Sequence, residues 1–507
     1  MTERQETGPE EHGSLARSTL HGVLWMTAGR FMKAPTNLIA VAILARLLTP
    51  TDFGVVAIGF VVTALATMLV DGTFGMVLVQ RRTIDPPLIG ASLLLSAALG
   101  SLFGVALIFS GPLIQSYFDF PDLSRVLRVL AIVLPVSAAM AVTTALLQRA
   151  SRFGVLTINS FVAQLVNAVV AITMAFAGFG VWSLVWSQLA QVVVETLLGY
   201  WAVRPRYTIG FSLAAVRDAM RSGGMFTVSK MFNWASGNID KVVIGRLLGA
   251  APLGLYSRAN TLMATANQLV GTGTARVLFS TFARMQHDLD RMERAFDRAL
   301  STSVVGASLA SAFVIIFADP IVRVLLGPQW VDTAPVLQAL FAAFITRSGY
   351  VVAEAVPLAL GLARISAYRQ AAQFFLVIGG AWTGSRFGVE GSAIGIAIAY
   401  WIFYLLCLVL VQQLLHVRTS RLLRIHLKGV AIAAPPVLVT LALEAILKPH
   451  GSLILSAALA AVFGIVSALV IAFGPDSLLS EDIVRMREHL VQLARRRLRL
   501  LIARSRA

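Results

Sequence analysis

Ile43-Leu-Ala-Arg-Leu-Leu48 and Val243-Ile-Gly-Arg-Leu-Leu248 read as two copies of one segment. Gly54 pairs with Gly254, Val77-Leu78 with Val277-Leu278, and Arg30 with Lys230, all at one offset of 200 positions and with no gap. Each copy sits in the first two apolar runs of a set of six. A repeat of this kind predicts two lobes of like orientation, since a helical lobe duplicated in membrane keeps its order of spans.

Outward from the repeat, apolar runs of about twenty residues recur along almost the whole chain, long enough to cross roughly 30 Å of hydrocarbon at 1.5 Å per residue. Of the 507 residues, 57% are hydrophobic and 13% charged, with a mean hydropathy of +0.79. That is too little charge to cover the surface of a soluble protein of this size. The runs are continuously apolar and do not alternate, which excludes barrel strands. The expectation is an all-α membrane protein of about fourteen transmembrane helices. Two pseudo-symmetric six-helix bundles are followed by two C-terminal helices. The divisions are a tail at 1–21, an N-lobe at 22–203, an amphipathic linker at 204–222, a C-lobe at 223–416, extra helices at 417–474 and a basic amphipathic tail at 475–507.

The formal net charge is +17, and its placement argues against nucleic acid. Arg81 and Arg82, Arg149 and Arg152, Arg204 and Arg206, Arg291 and Arg294, Arg364, and Arg418 to Lys428 follow the even-numbered spans. Basic loops stay cytoplasmic, so both ends are expected there. The tail, with Arg495, Arg496, Arg497 and Arg499, reads as a helix lying on anionic headgroups. The first twenty residues include Glu3, Glu6, Glu10 and Glu11 and lack the pattern of a cleavable signal; the first helix is expected to be a retained anchor. Cys407 stands alone, so neither an intrachain disulfide nor a cysteine metal site is expected. No phosphate-cradling Gly-rich loop, His-Glu metal helix or Gly-x-Ser-x-Gly elbow occurs. No catalytic residue, cofactor or resident metal is expected, and transport would draw on an ion gradient (proton or sodium), the membrane potential or the cargo gradient.

Charges inside hydrocarbon cost several kcal/mol unless paired or hydrated. In the first span Arg30, Lys33 and Asn37 fall on one face; in the seventh, Lys230, Asn233 and Lys241 do the same, with Asp240 beside them. Arg258 in the eighth span and Arg347 in the tenth complete the expected cavity lining. Snorkelling to headgroups is the other reading of Arg30, Lys33 and Lys230. Asp71, Glu195, Asp240 and Glu354 are read as coupling carboxylates or as charge partners. Asn159, Gln164, Asn167, Gln188 and Gln191 read first as interhelical hydrogen-bond glue.

Leu47-Leu-Thr-Pro-Thr-Asp-Phe-Gly54, Asn238-Ile-Asp-Lys-Val-Val-Ile-Gly245, Leu253-Gly-Leu-Tyr-Ser-Arg-Ala-Asn260 and Phe387-Gly-Val-Glu-Gly-Ser392 resemble, in order and spacing, the polysaccharide-transport flippases. These belong to the multidrug/oligosaccharidyl-lipid/polysaccharide exporter superfamily. The resemblance runs from about Gly22 to Leu415. It implies two bundles around a central cavity, alternating access, residence in the bacterial inner membrane, and an undecaprenyl-pyrophosphate-linked oligosaccharide as cargo. The expected partners are membrane lipid, that cargo, and polysaccharide polymerase or assembly proteins, with no nucleic acid. An ion-coupled multidrug or metabolite exporter of the same superfamily is the alternative. It would favour a net acidic cavity, against the basic excess in spans one, seven and eight.

Overall fold

The computed structural model describes residues 25, 29, 32–80, 86–204, 234–270, 272–447, 452–475, 484 and 487. Among these the chain is helices joined by turns, with no strand. The helices are α1 (32–47), α2 (Pro50–Gln80), α3 (Pro86–Phe118), α4 (Leu123–Ala131), α5 (Val133–Arg149), α6 (Phe153–Phe176), α7 (Val181–Val203), α8 (234–248) and α9 (Ala250–Val270). Then come α10 (Thr272–Ala283), α11 (Leu289–Ile316), α12 (Ala318–Leu325), α13 (Thr333–Ala342), α14 (Phe344–Ala359), α15 (Ala363–Gly384), α16 (Gly388–Leu415), α17 (Thr419–Leu447) and α18 (Leu453–Phe473). Ten described segments are long and apolar enough to cross a membrane, and the longest of them, Arg364–Leu415, contains both α15 and α16. The linker 204–222 lies almost wholly outside the described residues, as does most of the basic tail.

Two compact units form, one of 1–258 with 325–329, the other of 259–324 with 330–507. In the first, α2 packs on α5, α3 on α4 and α5, and α6 on α7. Pro135 lies where α4 gives way to α5, as a residue without an N–H requires. Gly100 of α3 lets that break come close, for a Cβ there would lie 2.7 Å from the Leu134 carbonyl oxygen. The two copies of the repeat also meet inside this unit. Helices α2 and α9 start at Pro50 and Ala250, equivalent positions of the repeat, and Gly54 and Gly254 lie one turn into them.

In the second unit Phe296, Leu300 and Val304 of α11 meet Val352 and Val356 of α14 and Phe403, Cys407 and Val411 of α16. Lipid tails are as apolar as these side chains, so close fit rather than water exclusion holds such helices together. The α15–α16 hairpin shows the fit at its tightest. Gly380 and Gly384 on one helix face Gly395 and Gly391 on the other, and a Cβ at any of the four would overlap a carbonyl oxygen opposite or stand at its edge. Helix α17 is tied to the unit by polar contacts among others. Arg421 pairs with Glu293 at 3.0 Å and with Asp297, and the Tyr404 hydroxyl lies 3.0 Å from His426 Nε2. Helix α18 joins through Phe463, whose ring packs with those of Phe313 and Phe317.

Candidate functional site

Lys33 is the best-defined cation of the first unit. Its ammonium donates to the Ser160 hydroxyl of α6 at 2.6 Å. The Lys33 carbonyl accepts from the Gln164 side-chain amide at 3.1 Å, and Thr157 donates to the Trp25 carbonyl at 3.4 Å. Thr157, Ser160 and Gln164 are three and four residues apart, so they form one polar stripe on α6. Small residues let the helices meet there: a Cβ at Gly29 would overlap the Thr157 methyl, and one at Gly154 would rest 3.4 Å from the Trp25 ring. From α7, Glu195 interacts electrostatically with Lys33. The charge-assisted hydrogen bond to Ser160 is worth about 1.5–3 kcal/mol, which offsets part of the cost of drawing an ammonium among helices. Asn37, one turn along α1, is half-buried.

The remaining expected residues fall in different surroundings. Arg30, Lys230 and Asn233, and the side chain of Asp71, lie outside the described residues. Lys241 donates to Asn238 at 2.8 Å on its own helix. Asp240, 2% exposed, accepts from the Tyr256 hydroxyl at 2.6 Å. Arg258 stacks over Phe53, its guanidinium carbon 4.3 Å from the ring centre. These residues belong to the first unit.

In the second unit Arg347 lies over Tyr400 at 5.5 Å. Glu354 forms an ion pair with Arg369 of α15, and Arg369 also reaches the Ser366 hydroxyl at 3.4 Å. Both partners are largely buried, and Tyr350 is close enough to feel the carboxylate. Glu354 is thus a charge partner in this structure. Sequence reasoning missed Arg369 and Ser160. Arg369 carried a usable signal, a charge inside an expected span; Ser160 carried none, because a serine in a membrane helix is ordinary.

Chemically, the Lys33 site offers an ammonium to an anion, with the second amide N–H of Gln164 as a further donor and a carboxylate that can take over the charge or a proton; the Ser160 hydroxyl itself donates to the Thr157 carbonyl at 3.2 Å. The Glu354–Arg369 pair meets charge with charge, with Glu354 Oε1 and Arg369 Nε and Nη1 buried without a hydrogen-bond partner among the described residues.

A family model described as polysaccharide biosynthesis protein matches residues 43–335. The succinoglycan biosynthesis transport protein ExoT of Rhizobium meliloti is 30% identical over 64% of this chain and 65% of its own length. The lipopolysaccharide biosynthesis protein WzxC of Escherichia coli is 27% identical over 66% of this chain and 68% of its own. The chain thus spans about two thirds of the length of these relatives. Among solved structures, the lipid II flippase MurJ, in an inward closed conformation, aligns with a TM-score of 0.66 at 12% identity, over 90% of this chain and 98% of MurJ. An inward-facing MATE family transporter of the MOP superfamily aligns with a TM-score of 0.62 at 18% identity, over 78% and 98% of the two chains. At such identities the likeness concerns the fold.

Proposed function

We propose that this chain, which belongs to the family of polysaccharide biosynthesis proteins, is a flippase that carries an undecaprenyl-pyrophosphate-linked oligosaccharide from the cytoplasmic to the outer leaflet by alternating access. The product would feed lipopolysaccharide, capsule or exopolysaccharide synthesis. The observation that carries the reading is Lys33: an ammonium drawn among membrane helices by Ser160 and Glu195 rather than spent on a fixed ion pair. A pyrophosphate is held well by cations in a low-dielectric cleft, where attraction is less screened than in water. By sequence, Arg30 and Lys230 are equivalent positions of the repeat, and the proposal assigns their charges to the same cargo headgroup. Glu195 is the carboxylate that receives Lys33 once the cargo leaves. Fourteen spans with both ends cytoplasmic place the basic loops on the inner side.

The test is a deletion strain complemented with Lys33→Gln, Arg30→Ala or Lys230→Ala, scored for lipid-linked glycan held on the cytoplasmic leaflet. Accumulation with each variant, at normal membrane abundance, is the expected result. Wild-type export by all three would remove the site assigned here, and no accumulated lipid-linked glycan in the deletion strain would remove the function.

A further inference from the structure

The two copies of the repeat touch through their glycines, and the contact is reciprocal. A Cβ at Gly54 would overlap the Ala250 carbonyl oxygen and lie 2.6 Å from its carbon; a Cβ at Gly254 would overlap the Pro50 carbonyl oxygen and lie 2.7 Å from its carbon. Positions 54 and 254, like 50 and 250, are equivalent under the offset of the repeat, so this is a self-complementary contact of the type a two-fold axis makes. Around it, Gln329 donates to the Leu48 carbonyl at 3.2 Å and to that of Ala45, capping the end of α1. Arg246 of α8 stacks on Tyr117 at 5.2 Å, and Arg258 covers Phe53.

We propose that this glycine clasp is the outer gate of the transport path, closed here by direct backbone approach of α2 and α9. The nature of the contacts distinguishes a gate from permanent packing. Backbone meeting carbonyl through glycine involves weak C–H···O attraction and no interlocked side chain at the crossing itself. The surrounding links are hydrogen bonds to a helix end and cations over rings, groups that water satisfies when they part. The clasp therefore closes tightly yet separates without stranding a buried polar group. It also requires glycine in both copies, because a methyl on either one meets backbone that cannot yield. The end of α1 and the start of α2 lie opposite the basic loop that follows α2, which places the clasp outside under the orientation given above. The inference rests on the reading of the chain as an alternating-access transporter, but its test needs no cargo.

Ile58, fully buried one turn inward from Gly54 and against Gly245, is the reporter position. In a Cys407→Ser background, Ile58→Cys should react slowly with a membrane-impermeant maleimide added to intact cells. Adding Gly54→Ala or Gly254→Ala should raise that rate about tenfold, and by similar factors, as expected for a two-state element biased from either side. Gly306→Ala, which meets nothing within 4 Å, should leave it unchanged. Gln329→Ala, which adds no bulk, should raise it about threefold by removing only the cap. Should the glycine variants fail to insert, a rise with Gln329→Ala still supports the gate. Unchanged labelling in inserted glycine variants, or failed insertion together with no rise in Gln329→Ala, would show permanent packing and overturn it. So would a rise seen only in inside-out vesicles. Failure of the cargo assay would sink the flippase reading and leave this result in place.

Discussion

The hairpins α6–α7 and α15–α16 begin from the same turn and end as opposites. Phe179-Gly180-Val181 opens α7 and Phe387-Gly388-Val389 opens α16, with both glycines at positive φ, 52° and 75°. The first hairpin presents a polar stripe to Lys33 and brings Glu195 within electrostatic reach. The second is zipped by four glycines facing carbonyls, and its one buried cation, Arg369, is consumed by Glu354. Pseudo-equivalent elements have thus divided the work. One keeps a charge that a ligand can claim, and the other spends its charge on holding itself together.

Breaking the second hairpin should have the larger effect. Glu354→Gln leaves a buried guanidinium without a counter-charge, a situation that costs about 3–5 kcal/mol in comparable pairs. The expected outcome is a sharp fall in membrane abundance and melting temperature, restored in large part by Glu354→Leu combined with Arg369→Met. If the single variant melted like the parent, the pair would not be the charge-compensated contact described. Next comes Lys33→Gln, for which export should drop roughly ten- to a hundredfold, the loss of about 1.5–3 kcal/mol of charge-assisted bonding to cargo. Its melting temperature should stay near that of the parent, which is the reverse of the Glu354 outcome. Gly384→Ala overpacks the α15–α16 crossing, with an expected cost of about 1–3 kcal/mol in stability. Ser160→Ala should have the smallest effect, a few-fold loss of export, because Glu195 still attracts the ammonium once the charge-assisted bond is gone; no loss at all would detach Ser160 from the site.

Much of this contrast could be read before the structure, and the failures are informative. Apolar runs, basic loops and the pairing of Gly54 with Gly254 follow from local sequence, because span length and loop charge are local quantities. The use of the paired glycines was not visible, since it depends on two helix starts 200 positions apart coming into backbone contact. The repeat also reaches further than an ungapped comparison reveals. The Phe-Gly-Val turns are 208 positions apart, so a shift has entered between the copies before their last hairpin. Lys33 and Glu195 are both legible as charges in hydrocarbon, yet their association depends on α1 meeting α6 and on Glu195 of α7 lying in electrostatic reach of it. Arg369 and Glu354 are each legible as charges inside expected spans, but that they pair depends on α14 and α15 coming together.

The contacts of α17 bear on how the chain can be shortened. A protein cut after α16, reduced to its duplicated helices, would deprive Glu293 and Asp297 of Arg421 and leave the Tyr404 hydroxyl, pressed against Gly349, without His426. Two carboxylates and a phenol would then lose the partners that hold them. The last pair of helices is therefore a structural debt of the second unit, and minimal versions of this protein should be sought by trimming its tails, not by removing that pair.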